Sequence, residues 1–432
     1  MNDALPLGAT PKDWATARLD ELSEFITKGA TPTTYGFGWT DEGVLFLRSE
    51  CVSEHGFQLE GSERIGTDAH AALARSTVKA GDLLVTITGN VGRVCRYPLD
   101  LPDANINQHI ARVRVASRER ALPEFLRHVL GTAGYRRYYE RIVTGLAYPQ
   151  ISLAQVRSTV VPLPPLGEQS KIATILSSVE DAIETTQSVI DQLQVVKKAM
   201  MSELLTRGLP GKYKRFKQTQ IGEVPEDWEV QPLAECLREP IRNGYSPVCA
   251  TMPTGRWILH LGAVTFDGFN PLAVKPAPLD DRRIEGAIVE SGDLLMSRSN
   301  TRERVGLVGV YRGVPPRCGY PDLMMRLRLG PGMLADFLEL VLLGERARTY
   351  LSSAARGTSE SMVKINRDLV GAFHVQVPGL HEQRQIVAAI GALTARRDQE
   401  LAVRAALRAL KAALMSVLLT GEIRVKPDEE AA

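Results

Sequence analysis

From Glu168 to Arg207 apolar residues recur at alternating intervals of four and three: Ile172, Leu176, Val179, Ile183, then past Thr186 to Ile190 and Leu193, and past Lys197 to Met200 and Leu204. No proline or glycine interrupts residues 168–207. The spacing predicts one long helix over 164–208 with a narrow apolar stripe, and roughly 40 residues at about 1.5 Å each make a rod of about 60 Å. A stripe that narrow needs a second helix to cover it. The end of the chain supplies one over 377–423, where Ile386, Ile390 and Leu393 begin a stripe and Leu407, Leu410, Leu414 and Val417 end it. The helix-helix seam is therefore expected at Ile172, Leu176, Val179, Ile183, Ile190, Leu193, Ile386, Ile390, Leu393, Leu407 and Leu414. Arg396 to Glu400 interrupts the second stripe, and its register is expected to shift there.

The two stripes are copies. Glu168-Gln169 is matched by Glu382-Gln383 and Leu204-Leu205-Thr206 by Leu418-Leu419-Thr420, at a constant offset (382 − 168 = 214 and 418 − 204 = 214). A fixed offset over a long segment marks a duplicated unit. The duplication extends to what precedes each helix: Asp13-Trp14 and Leu19 answer Asp227-Trp228 and Leu233. Short apolar runs bounded by Gly and Asp predict strands at Val44–Leu47, Leu83–Thr88 and Ile110–Val115. Gly81-Asp82 recurs as Gly292-Asp293, and Ile110, Arg112 and Arg114 recur as Met324, Arg326 and Arg328, with about three extra residues between these points in the second copy. A helical pattern over Pro123–Tyr139 recurs from Ala335. The fold class is α+β: two globular units in tandem repeat, each followed by a long helix. The boundaries are 1–163, 164–208, a linker at 209–221, then 222–376, 377–423 and a tail at 424–432.

Composition changes this picture little. With 432 residues, 44% hydrophobic and 24% charged, the chain is ordinary for a multi-domain globular protein. Cys51, Cys95, Cys236, Cys249 and Cys318 form no Cys-x-x-Cys pair, so neither a zinc cage nor a disulfide framework is expected, and a reduced cytoplasm fits. The N-terminus lacks the basic start and apolar core of a signal peptide, and no run reaches the roughly 18 apolar residues that span a bilayer. The net charge of +2 is uninformative, but cations cluster at Arg136, Arg137 and Arg141, at Lys212, Lys214, Arg215 and Lys217, and at Arg298, Arg302, Arg304 and Arg312.

The duplicated globular-plus-helix order resembles the specificity subunits of type I restriction-modification systems. The resemblance covers nearly the whole chain. It is carried by the helix openings Pro165-Leu166-Gly167-Glu168-Gln169 and Pro378-Gly379-Leu380-His381-Glu382-Gln383, the Leu-Leu-Thr helix ends, and Ile221-Gly222-Glu223-Val224-Pro225-Glu226-Asp227-Trp228 opening the second half. It implies that 1–163 and 222–376 are target recognition domains, each reading half of a bipartite, asymmetric site in double-stranded DNA. The long helices would pack as an antiparallel coiled coil that spaces the readers. It also implies methyltransferase subunits in two copies and restriction-translocase subunits as partners. S-adenosylmethionine, ATP and Mg are expected in those partners, with no cofactor, metal or catalytic residue in this chain. The alternative is the DNA-recognition portion of another restriction-methylation or phage-defence enzyme. Against catalysis by this chain, it has neither an Asn-Pro-Pro-Tyr or Asp-Pro-Pro-Tyr loop nor a Gly-x-x-x-x-Gly-Lys-Ser/Thr phosphate loop.

Candidate DNA-binding residues are the polar and basic ones in loops flanking the strands. In the first unit these are Arg48, Ser49, Thr88, Asn90, Arg93, Gln108, Tyr148 and Gln150, and in the second Arg298, Asn300, Arg302, Arg304, Ser361, Lys364 and Asn366. Arg can make two hydrogen bonds to guanine, and Asn or Gln two to adenine.

Overall fold

A computed structural model describes residues 5–116, 118–145, 148–357 and 362–426. Two helices dominate it, Leu166–Arg207 and Leu380–Leu418. Compactness divides the chain inside both of them: one unit comprises residues 1–187 with 402–432, and the other residues 188–401. Each unit thus holds one globular copy, the first half of the helix that follows it, and the last half of the other long helix.

The globular copies share a strand plan. In the first unit Ser23–Lys28, Ile110–Val115, Leu83–Thr86 and Val94–Arg96 form one four-stranded sheet. In the second, Arg242–Asn243, Met324–Leu327, Leu294–Ser297 and Val308–Val310 repeat its order. The sheet is buried on both faces, which suits the continuous Leu-Leu-Val and Leu-Leu-Met runs. The alternating arginines of the central strand are part of this core. Arg114 makes two hydrogen bonds to Asp82, at 2.8 and 2.7 Å, and Arg328 pairs likewise with Asp293, at 2.7 and 3.2 Å. Those aspartates are the Gly-Asp turn residues, and each also accepts a backbone N–H, from Lys79 and from Glu290. Arg112 and Arg326 are buried and donate to the carbonyls of Thr77 and Ile288. These four cations hold the fold together rather than facing outward.

The helical pattern after the strands is two helices in each copy. Pro123–Leu130 stops at Gly131 and restarts at Ala133–Ile142, and Ala335–Leu343 stops at Gly344 and restarts at Glu345–Ala354. Gly is a poor helix former and a good terminator, and in the first copy Thr132 caps the restart by accepting the N–H of Tyr135. Each copy closes with an antiparallel strand pair between its beginning and the stretch before its long helix, Ala15–Arg18 with Val160–Leu163 and Glu229–Pro232 with His374–Val377.

In the first unit the long helices meet through Glu180 and Lys411, 2.6 Å apart, and through Gln187 and Arg404. Partner numbers fall on one helix as they rise on the other, so the helices are antiparallel. In the second unit Leu204 and Leu205 share a core with Ile386 and Ile390 in the same sense. The buried and half-buried positions include one unbroken four-three run on each helix. On the first it is 172, 176, 179, 183, 186, 190, 193, 197, 200 and 204, and on the second 386, 390, 393, 397, 400, 404, 407, 411, 414 and 418. The two runs are offset by 214 at every position. The register of the second helix therefore does not shift: Leu410 is 47% exposed and Lys411 takes the seam position. The intervening polar residues stay in register because each has a partner. Arg397 pairs with Asp267 and Asp398, and Glu400 with Arg396 at 2.6 Å. Long charged side chains cover an apolar stripe with their methylene stems while their heads find such partners.

Each unit is sealed by the segment that follows the helix end it contains. Glu168 accepts from Trp14 Nε1 at 3.2 Å and from Arg424 at 2.8 Å. Glu382 accepts from Trp228 Nε1 at 3.1 Å, from Lys212 at 2.9 Å and from the Tyr213 hydroxyl. Gln169 and Gln383, beside these carboxylates, accept the N–H of Leu122 and Leu334. The Glu-Gln pair that opens each long helix is thus the clamp holding helix to globular unit.

Candidate nucleic-acid interface

Three backbone segments meet at one edge of each globular unit in the same way. In the first unit the sheet strand ending at Thr86 runs on so that Ile87 N–H donates to His109 O at 2.9 Å, and Ile151 N–H donates to Ile87 O at 2.9 Å. In the second, Arg298 N–H donates to Leu323 O at 2.8 Å, and Ile365 N–H to Arg298 O at 3.0 Å. Next to these, Thr88 bridges Gln150 as Ser299 pairs with Lys364. Gln150 exchanges both backbone hydrogen bonds with Thr144, at 2.9 and 3.0 Å, and Lys364 does so with Arg356, at 3.0 and 2.8 Å. The scaffold is common to both copies, whereas the side chains on it are not.

The loop leaving the sheet is closed by a glycine in each copy. Gly92 and Gly306 return their N–H to the carbonyls of Thr86 and Ser297 with φ of +83° and +76°. That left-handed conformation disfavours any other residue. A Cβ there would also lie 2.9 Å from the Tyr139 ring in the first unit and 2.7 Å from Leu351 in the second. Between these fixed ends the first loop has five residues, 87–91, and the second eight, 298–305. The three extra residues anticipated between the copies sit here, in the stretch bearing Arg302 and Arg304.

The candidate side chains fall into two groups. Some are already engaged. Arg48 lies between Glu63 at 3.3 Å and Glu50 at 3.6 Å, and Ser49 donates to Glu50. The Gln108 amide oxygen accepts from Thr31 at 2.7 Å. Asn300 donates to Ser297 and accepts from Thr301 N–H. Asn366 caps the helix Arg367–Ala372 by accepting the N–H of Leu369 at 2.8 Å, as Ser152, 214 residues earlier, caps Leu153–Arg157. Others project from the scaffold. Tyr148 is 67% exposed, and Asn90 and Gln150 are exposed. Thr88 is half-buried, and Arg93 reaches Glu54 at 4.0 Å. In the second unit Arg304 and Lys364 are exposed, Arg302 donates to Ser352 O at 2.9 Å, and Arg298 makes only a long contact of 3.4 Å to Asp322 O. Ser361 lies outside the described residues.

Two further cations belong to this edge. Arg136, which the sequence reading grouped only as part of a charge cluster, lines a cavity of about 340 Å³ with Gly89, Asn90, Arg93 and Pro149, and pairs with Glu54 at 3.0 Å. Arg356 is exposed beside Lys364, its backbone partner; its place just before Gly357 in a loop was the signal that could have singled it out. Exposed cations around a rigid hydrogen-bonded platform are suited to phosphates, and exposed amides and hydroxyls to base edges. Among the described residues there is no cluster of His, Cys, Asp and Glu fit to hold a metal ion, and no helix long and apolar enough to cross a membrane.

Residues 11–195 match the family model described as the type I restriction modification DNA specificity domain. Over 430 residues the chain is 24% identical to a Methanocaldococcus jannaschii protein named for the type I restriction enzyme MjaX specificity subunit, covering 97% of this chain and 96% of that one. It is 28% identical over 291 residues to the MjaVIII specificity subunit of the same organism, covering 65% of this chain and 66% of the relative. It is 24% identical over 282 residues to the EcoKI specificity subunit of Escherichia coli K12, covering 63% and 59%. In fold it is similar to the S subunit of a type I restriction-modification system from M. genitalium, with a TM-score of 0.57 at 13% identity over 96% of this chain and 98% of that one. A chain from a structure of type I restriction-modification complex assembly gives a TM-score of 0.57 at 18% identity, covering 96% and 99%.

Proposed function

Because the chain belongs to the family of type I restriction-modification specificity subunits, we propose that it reads a bipartite, asymmetric site in double-stranded DNA for partner subunits that methylate adenine or restrict the DNA. The observation that carries this reading is the three-segment platform, present twice with one backbone geometry and two sets of side chains. Equal scaffolds with unequal surfaces fit two different half-sites on one duplex. The chain is a non-catalytic subunit that works with methyltransferase subunits, two copies in this reading, and with restriction-translocase subunits. S-adenosylmethionine, ATP and Mg act in those partners, and the assembly works in the cytoplasm.

The long helices serve as the spacer. At about 1.5 Å per residue, helices of 42 and 39 residues are each roughly 60 Å long, long enough to separate two readers by about one duplex turn of roughly 34 Å. Inserting four residues after Lys198 adds about 6 Å and shifts the unread gap by one or two base pairs, leaving both half-sites intact. Exchanging residues 222–376 for another member's second reader changes one half-site only.

The test is methylation of a DNA library with randomised half-sites and varied gap lengths. The chain alone transfers no methyl group; with a methyltransferase subunit and S-adenosylmethionine it yields one bipartite site. Methyl transfer by the chain unaided, or methylation without sequence preference, would overturn the reading.

A further inference from the structure

One position in each unit combines a fixed backbone with an uncommitted side chain. Gln150 has its N–H and C=O both bound to Thr144, and Lys364 has both bound to Arg356. The next residue in each case, Ile151 or Ile365, is 3% exposed and packs in the core. Because successive side chains of an extended segment point to opposite sides, residues 150 and 364 point away from that core. Both side chains are exposed, and neither has a hydrogen-bond or ion-pair partner among the described residues. The amide of Gln108 and that of Asn366 are, by contrast, already used within the fold.

Cations flank both positions: Arg93 and Arg136 line the cavity beside Pro149, and Arg356 and the Arg302–Arg304 loop neighbour Lys364. Such residues hold a sugar-phosphate backbone and fix the register of whatever stands between them. A side chain set in a fixed frame between phosphate contacts is placed to meet a base edge.

We propose that Gln150 and Lys364 are paired specificity positions, one for each half-site, with Gln150 reading an adenine and Lys364 a guanine. The glutamine amide can accept from adenine N6–H while donating to N7, and the lysine ammonium can donate to guanine O6 and N7. Having no acceptor, Lys364 gains nothing from the adenine amino group. This inference rests on the DNA-reading function proposed above.

The experiment uses the full chain assembled with its methyltransferase subunit and the randomised library, comparing the parent with Gln150→Lys, Gln150→Ala, Lys364→Gln and Lys364→Ala. Thermal melting confirms that each variant folds as the parent does. Gln150→Lys is expected to exchange adenine for guanine at one position of one half-site by about tenfold or more, with the other half-site unchanged. Lys364→Gln makes the reverse exchange in the other half-site. Each alanine variant lets all four bases in at its own position. A variant that folds and still selects the parental base overturns the assignment for that residue, and so does a change spread over both half-sites. If a Lys or Gln exchange abolishes selection, the alanine variant decides by whether the parental base is still preferred. A parent complex that selects no sequence would instead remove the DNA-reading function itself.

Discussion

His128 is buried against the first long helix, its Nε2 3.3 Å from the Ser177 hydroxyl and its Nδ1 3.8 Å from Glu180. Burial, helped by the neighbouring charge of Arg127, pushes its pKa down to about 3, so the ring is neutral in the folded chain. Burial acts to raise Glu180, but hydrogen bonds from Arg127 with the charges of Arg127 and Lys411 prevail and hold it at about 2. Both groups bind fewer protons folded than unfolded, so both make stability fall as pH falls. The loss through His128 begins below its ordinary value of 6.5, and the loss through Glu180 begins below 4.5. The position equivalent to His128 in the second unit is Leu342, also fully buried. His128→Leu is therefore expected to flatten the melting temperature of the first unit between about pH 6.5 and 4.5 while leaving the steeper decline below it; calorimetry at a series of pH values checks this. Capping makes a second residue-scale prediction. Asn366→Ala should cost about 1 kcal/mol of stability in denaturant titration, without altering the sequence methylated, because its side chain already serves the helix that follows.

The long helices show which features of an element were readable in advance. Ile172, Leu176, Ile190, Ile386 and Ile390 are buried at the spacing their pattern carries. The polar stretch of the second helix misled because hydrophobicity alone marks Leu410 as a seam residue and Lys411 as a surface one. Their roles are reversed by a partner, Glu180, that lies 231 residues away in the chain and is visible only once the helices are paired. The same limit applied to the interface: loops rich in Arg, Asn and Gln were evident, but which side chains were consumed by caps and ion pairs depended on contacts distant in sequence, such as Thr31 with Gln108. Substitutions separate the two kinds of helix position. Leu176→Ala, in a fully buried site, should cost about 2–5 kcal/mol. Leu410→Ala should stay within about 0.5 kcal/mol of the parent, as measured by urea unfolding.

At the scale of the whole molecule, neither unit boundary coincides with the end of a repeat. The first unit borrows the last turns of the second long helix and the segment after them, where Leu418 and Leu419 join the core that contains Trp14, Ile172 and Leu176. Arg424→Ala, which leaves the buried Glu168 without its cation, should weaken that unit by about 1–3 kcal/mol and shift the fluorescence of Trp14, while Trp228 and its clamp are untouched. The interleaving also sets an order in time. A ribosome releases the chain from its N-terminus, so the first unit begins to appear first but receives its closing residues last, after the 214 residues of 188–401. At about 5–20 residues per second, its core stands open for roughly 10–40 s. The second unit is one continuous stretch and can close during that interval. A nascent chain halted just past residue 401 is thus expected to carry a protease-resistant second unit behind a protease-sensitive first one, and release of the remaining residues to protect the N-terminal region.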